Sequence, residues 1–115
     1  MKSTVIVIDD ERLMLEFVER VLRSHFSVLT FSSVESALPY LEQAAVIVSD
    51  FQMPGIGGAG LIKHLQDTRS LPLLIISGLG PEAPELACAR DREIPILGKP
   101  FTPDELLGAV GDLLG

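Results

Sequence analysis

Ala45-Val46-Ile47-Val48-Ser49-Asp50-Phe51-Gln52-Met53-Pro54-Gly55 is an apolar run that ends on a carboxylate and breaks at once into Pro and Gly. Apolar residues in succession, without polar alternation, predict a strand covered on both faces, here Ala45 to Ser49. Pro and Gly then stop the strand, so Asp50 is delivered to a loop. Strand formation does not call for an acid at that point. Its value depends on what the rest of the chain brings near it.

The same pattern recurs on either side. Thr4-Val5-Ile6-Val7-Ile8 is a β-branched run ending in Asp9-Asp10-Glu11, and from Arg12 the positions Leu13, Met14, Phe17, Val18, Val21 and Leu22 recur at helical spacing. Phe26 to Phe31 reads as a second, weaker strand. Ser32-Ser33 offers an N-cap for a helix through Val34, Ala37, Leu38 and Leu41, which Pro39 should kink or shorten. After Asp50 come a Gly-rich loop and a helix through Leu61, Ile62 and Leu65. Pro72 to Gly78 is another buried strand, ending on Ser77, and a helix is expected within Pro81 to Glu93 with Pro84 in its first turn. Ile94 to Gly98 is a short last strand closed by Lys99-Pro100. Thr102-Pro103-Asp104-Glu105 then spells a capping box for a final helix through Leu106, Leu107, Val110 and Leu113.

Strand and helix thus alternate five times with short connections, which predicts one α/β domain over residues 1–115, a doubly wound parallel sheet with helices on both faces. With 115 residues, 47% hydrophobic and 22% charged, the chain can build one core and not two. Its longest apolar runs are strand-length and its start lacks a signal peptide's apolar stretch, so the expectation is a cytoplasmic protein without membrane insertion. A formal charge of −7 argues against direct nucleic-acid binding, which needs clustered Lys and Arg, and suits a cation better. The single Cys88 reads as a small apolar residue in a helix.

In parallel α/β sheets ligands gather beyond the carboxyl ends of the strands. Those ends carry Asp9, Asp10, Asp50, Ser77 and Lys99. Singly, Asp9 or Asp10 could cap a helix, Asp50 or Ser77 could serve a turn, and Lys99 could be a solvated charge. Together, three carboxylates at neighbouring strand ends repel one another unless a cation or ammonium offsets them. An all-oxygen set suits Mg²⁺, which keeps waters and phosphate oxygens among its ligands. Neither His25 nor His64 stands at a strand end to favour a softer metal. A carboxylate beside such a metal can serve as a nucleophile toward phosphorus.

The pieces Val-Ile-Asp9-Asp10-Glu, Ser-Asp50-Phe-Gln-Met-Pro-Gly, Ile-Ser77-Gly and Gly-Lys99-Pro-Phe-Thr resemble the receiver domain of bacterial two-component response regulators, and the resemblance covers essentially the whole chain. It implies a flavodoxin-like sheet of order 2-1-3-4-5. It also implies Asp50 as phosphoacceptor, Asp10 and Asp50 as direct Mg²⁺ ligands, the Gln52 backbone carbonyl as another and Asp9 as a ligand through water. Ser77 would bond the phosphoryl group and Lys99 would pair with Asp50 or its phosphate. The implied donor is a histidine kinase or histidine phosphotransfer protein, the receiver catalysing its own phosphorylation and dephosphorylation rather than acting as a conventional enzyme. The output would be a changed surface read by a downstream protein partner or effector domain.

One departure stands out. Where the family usually has an aromatic residue three positions before the lysine, this chain has Ile96. An isoleucine cannot make the same rotamer exchange, so the expectation is that signalling runs through loop and helix shifts around Gly78 to Pro84. Three competing readings are weaker. Gly55 to Gly60 matches a dinucleotide-binding pattern, but Asp50 to Pro54 intervene after the strand, and Ser77 to Gly80 stand where an acid is required. A phosphorylation-independent docking module would not need the intact acids and Lys99. A phosphatase acting on external substrates would need a substrate pocket that one domain of this length does not suggest.

Overall fold

The computed structural model of the protein describes residues 2–68, 72–80 and 82–115. Five strands, β1 (Thr4–Ile8), β2 (Ser27–Phe31), β3 (Val46–Asp50), β4 (Leu73–Ser77) and β5 (Ile96–Gly98), form one parallel sheet in the order β2-β1-β3-β4-β5. The α/β, doubly wound architecture expected from the alternation is the one observed, with the strand order implied by the resemblance.

The apolar runs are buried on both faces because each face carries its own helical layer. Ile6, Ile8, Ile47 and Ile75 point to one side, against α2 (Val34–Ala37), α3 (Gly57–Thr68) and α4 (Ala87–Asp91). Val5, Val7, Val46, Val48, Leu74 and Ile76 point to the other, against α1 (Arg12–Leu22) and α5 (Pro103–Leu114). Alternate residues of a single strand thus feed two separate cores, each in contact through van der Waals packing with the sheet between them.

The helix boundaries follow from local chemistry. α5 begins at the expected capping box, with Thr102 Oγ1 accepting from the Glu105 N–H (3.1 Å) and the Glu105 carboxylate accepting from the Thr102 N–H (2.8 Å). Ser33 caps α2, accepting from the Ser36 N–H at 3.2 Å. Pro39 shortens that helix as expected: after four residues of α2 the chain tightens into a 3-10 segment, Leu38–Gln43. Likewise α4 has only five residues and follows a 3-10 turn, Pro84–Leu86, so Pro84 sits in the first turn of the expected helical stretch; Pro81 lies outside the described residues.

Four details differ from the sequence reading, the first being that β3 runs Val46–Asp50 rather than Ala45 to Ser49, so Asp50 is the last residue of the strand and pairs beside Ile76 instead of lying in the loop. β5 starts at Ile96 rather than Ile94, because the Ile94 N–H bonds back to the Ala89 carbonyl (3.0 Å) and Pro95 has no N–H to donate. Leu13 faces solvent, 76% exposed, since at about 100° per residue it lies about 180° around α1 from the buried Leu22. The glycines after Gly55 are mostly helix rather than loop, as α3 already begins at Gly57.

Candidate functional site

Register within the sheet gathers the strand ends. Ile8 is beside Ser49, Asp50 beside Ile76, and Ser77 beside Gly98, so the carboxyl ends of β1, β3, β4 and β5 come together at one pole. Asp9, Asp10 and Asp50 meet there, each offering a carboxylate oxygen within 4.8 Å of the others. Asp9 (2% exposed) and Asp50 (7%) are buried, whereas Asp10 is open to solvent. Lys99 enters from beyond β5, its Nζ 3.3 Å from Asp50 Oδ1 and 3.9 Å from Asp9 Oδ2. Its own N–H donates to the Ser77 carbonyl at 2.8 Å, which ties the lysine to the end of β4.

The remaining candidates are held by short local bonds. Ser77 is buried, and its hydroxyl oxygen accepts from the Leu79 N–H at 3.0 Å. That bond occupies a lone pair and leaves the hydroxyl proton free to be donated. Gln52 follows Asp50 by two residues, and its side chain is exposed. Asp9 Oδ1 accepts from the Glu11 N–H at 2.8 Å and so shapes the turn before α1, but it does not cap that helix, whose N-cap is Glu11 with no side-chain bond.

Electrostatically the cluster is under-compensated. Burial raises the Asp9 carboxyl to about 6; the Glu11 N–H and Lys99 oppose this, and the neighbouring charges of Asp50 and Asp10 add to it. Asp50 is also raised, first by burial, with Lys99 pulling it back. One ammonium does not offset three carboxylates. The donor set, three hard oxygens with one partly open to water, fits a divalent cation of the Mg²⁺ or Ca²⁺ class.

This imbalance has a sign that can be measured. Between the ordinary aspartate value of 3.8 and about 6, folded Asp9 retains a proton that the unfolded chain has released. Metal-free protein should therefore lose stability as pH rises through that window, by up to about 3 kcal/mol, the loss being complete above the folded value. Asp9→Asn should not titrate there, so the stability advantage of the variant over wild type, read from urea midpoints, should grow from pH 4 to pH 7. A difference independent of pH would contradict this picture of Asp9.

The response regulator receiver domain family matches residues 5–111. The chain belongs to that family. The receiver domain is 28% identical over 113 residues to the regulatory protein VanRc of Enterococcus gallinarum, covering 96% of this chain and 49% of that protein. It is 31% identical over 108 residues to the C4-dicarboxylate transport transcriptional regulatory protein DctD of Rhizobium meliloti, covering 90% of this chain and 24% of that one. The chain therefore spans about half or less of the length of these relatives. Among solved structures, the BeF3-activated DrrB receiver domain superposes with a TM-score of 0.88 at 25% identity, covering 99% of this chain and 98% of that one.

Two features near the receiver site escaped the sequence reading. One is Glu35, whose carboxylate reaches the loop after Asp50; nothing in the one-dimensional pattern pairs residues 21 apart on different elements. The other is Gly58, read as part of a flexible approach to the third helix, which in fact packs directly on Phe51. Only the hint that a glycine can mark close approach of backbones was available for it.

Proposed function

We propose that this receiver domain takes a phosphoryl group from a phosphohistidine donor onto Asp50, with Mg²⁺ held by Asp10, Asp50 and the Gln52 carbonyl, and by Asp9 through water. The observation that carries the reading is a buried carboxylate at a strand end, Asp50, paired with one ammonium and crowded by two further acids. An Asp50 carboxylate oxygen forms the new bond to phosphorus as the donor's P–N bond breaks, the bonding pair leaving with the imidazole nitrogen. Lys99, already at the carboxylate, stays to balance the charge that arrives on the phosphoryl oxygens, and Ser77 has a hydroxyl proton to give them. Bound Mg²⁺ would supply further neutralisation of the carboxylates and of the phosphoryl group. The donor would be a histidine kinase or histidine phosphotransfer protein. The reader of the result would be a downstream protein partner or an effector domain. The domain works in this account as a self-phosphorylating and self-dephosphorylating phosphoacceptor in the cytoplasm, not as a conventional enzyme; among the described residues no helix is long and apolar enough to cross a membrane. Intact mass after treatment with acetyl phosphate and Mg²⁺ tests the reading, and a protein that gains no phosphoryl group overturns it.

We also propose where the surface changes. Ile96 is half-buried in the core under α3 and α4 and lies beside Ile75, without an aromatic ring to swing. Ser77, by contrast, is bonded to Leu79, a residue packed on that same core. Drawing Ser77 toward a phosphoryl group stretches the Leu79 bond, and the β4–α4 loop must answer. On addition of beryllofluoride and Mg²⁺, backbone amide shifts should be larger at Gly78–Gly80 and Glu82–Ala83 than at Ile96–Gly98. Ser77→Ala should remove that response while Asp50 still accepts phosphate. Shifts confined to β5 would sink this account.

A further inference from the structure

Glu35 belongs to α2, an element that contributes nothing else to the pole, yet its side chain crosses to the β3–α3 loop. Its Oε2 accepts from the Ile56 N–H at 3.3 Å. A second observation concerns the neighbouring residue: a Cβ built on Gly55 would lie 2.2 Å from Glu35 Oε2 and 3.1 Å from its carboxyl carbon. The carboxylate therefore lies over the face of Gly55 that a side chain would occupy. Gly55 also has φ +78°, the left-handed region that glycine enters without strain. Two properties of the loop, the missing side chain at 55 and the N–H of 56, thus converge on one acidic group 20 residues away in sequence.

The loop so contacted runs from Asp50 to the start of α3. Its closure is provided by the Gly58 N–H donating to the Phe51 carbonyl at 3.0 Å, which fixes the base of the loop and leaves Gln52 to Ile56 as the arc above it. The Glu35 contact falls on the descending side of that arc. Ile56 precedes α3 directly, so its N–H lies at the positive end of a 12-residue helix, where a carboxylate is favoured. A charged acceptor at this point holds the arc from outside.

We infer that Glu35 is a positioning residue for metal binding: by holding Gly55-Ile56 it sets the arc that presents the Gln52 carbonyl, and so raises the affinity of the acid pole for Mg²⁺. The inference rests on the assignment of that carbonyl as a ligand. Groups that orient a ligand without touching the metal commonly alter affinity, and one hydrogen bond holding an exposed loop is of a size to do so by about three- to tenfold. Glu35 is exposed and belongs to neither core, so its replacement leaves both cores intact.

The test uses Mg²⁺ titration by calorimetry together with hydrogen exchange of the Ile56 amide in metal-free protein. Glu35→Ala should weaken Mg²⁺ binding by about three- to tenfold and speed Ile56 exchange, with the urea midpoint little changed. Glu35→Gln, which keeps an acceptor oxygen at the same reach, should restore most of both. Wild-type affinity and unchanged Ile56 exchange in Glu35→Ala would overturn the inference. So would Glu35→Gln matching Glu35→Ala, since the charge rather than the bond would then be what matters. Asp10→Asn run alongside separates the two levels: if Asp10→Asn weakens Mg²⁺ binding while Glu35→Ala does not, the proposed metal site stands and Glu35 alone falls. If wild type binds no Mg²⁺, the proposed function itself falls.

Discussion

Asp50→Asn is expected to reduce the phosphoryl adduct formed with acetyl phosphate and Mg²⁺ to background. The amide is close to the carboxylate in shape, so β3 and its neighbours should be undisturbed, but it is a poor nucleophile and a poor partner for an ammonium. Its consequences should extend beyond chemistry. Asp50 is buried, raised by that burial, and paired at 3.3 Å with Lys99, which also lies 3.9 Å from Asp9. Removing one of three crowded charges should relieve Asp9, and the Asp9 titration should move down from about 6. Intact mass reads the first effect and carboxyl NMR shifts read the second. Equal adducts on wild type and variant would place the phosphate elsewhere. A partner protein that binds both forms equally, with or without phosphodonor, would mean that docking does not depend on phosphorylation.

Gly58→Ala should produce the largest loss of stability among single methyl additions at the glycines of this domain. The new Cβ would lie 2.7 Å from Phe51 Cδ1, 2.8 Å from Phe51 Cα and 3.0 Å from the Phe51 carbonyl oxygen. Two of these are backbone atoms and cannot rotate away. Either α3 retreats, opening the core that contains Leu61 and Leu65, or Phe51 is pushed along with its neighbour Asp50. A cost of about 2–3 kcal/mol is expected, a fall in Tm of roughly 10 °C, together with slower phosphorylation where Asp50 is displaced. Gly108→Ala in α5 is the matched control. Nothing lies within 4 Å of its Cβ position, so it should be neutral or stabilising by up to about 1 kcal/mol. A Gly58→Ala protein as stable as wild type would show that α3 and β3 do not meet as closely as described.

The contrast between those two glycines shows what could be read from the one-dimensional pattern. Strand ends were legible because a buried parallel strand leaves a continuous apolar run, and the polar residue that ends the run identifies itself. Asp50 and Ser77 were found that way, and each lies within the buried last position of its strand. The capping box at Thr102 was equally local and equally visible. Leu13 was misread because it shares helical spacing with inward residues over a short window while lying on the opposite side of α1 from Leu22. The Glu35 contact and the approach of Gly58 to Phe51 depend on how separate elements pack, for which composition and spacing carry no signal. Even the pairing of Lys99 with both Asp9 and Asp50 needed the strand order, since β5 stands two places from β3 across β4.

β5 has three residues, none of them fully buried, and forms an edge of the sheet. It is also the strand that delivers Lys99, whereas the acids come from the interior strands β1 and β3. Short edge elements open more readily than the elements they flank. An excursion that detaches β5 would therefore withdraw the Lys99 ammonium from the pole while the carboxylates stay in place. On the proposed reading, the competence of the site would follow the free energy of that partial opening, which can be far smaller than the free energy that holds the domain folded.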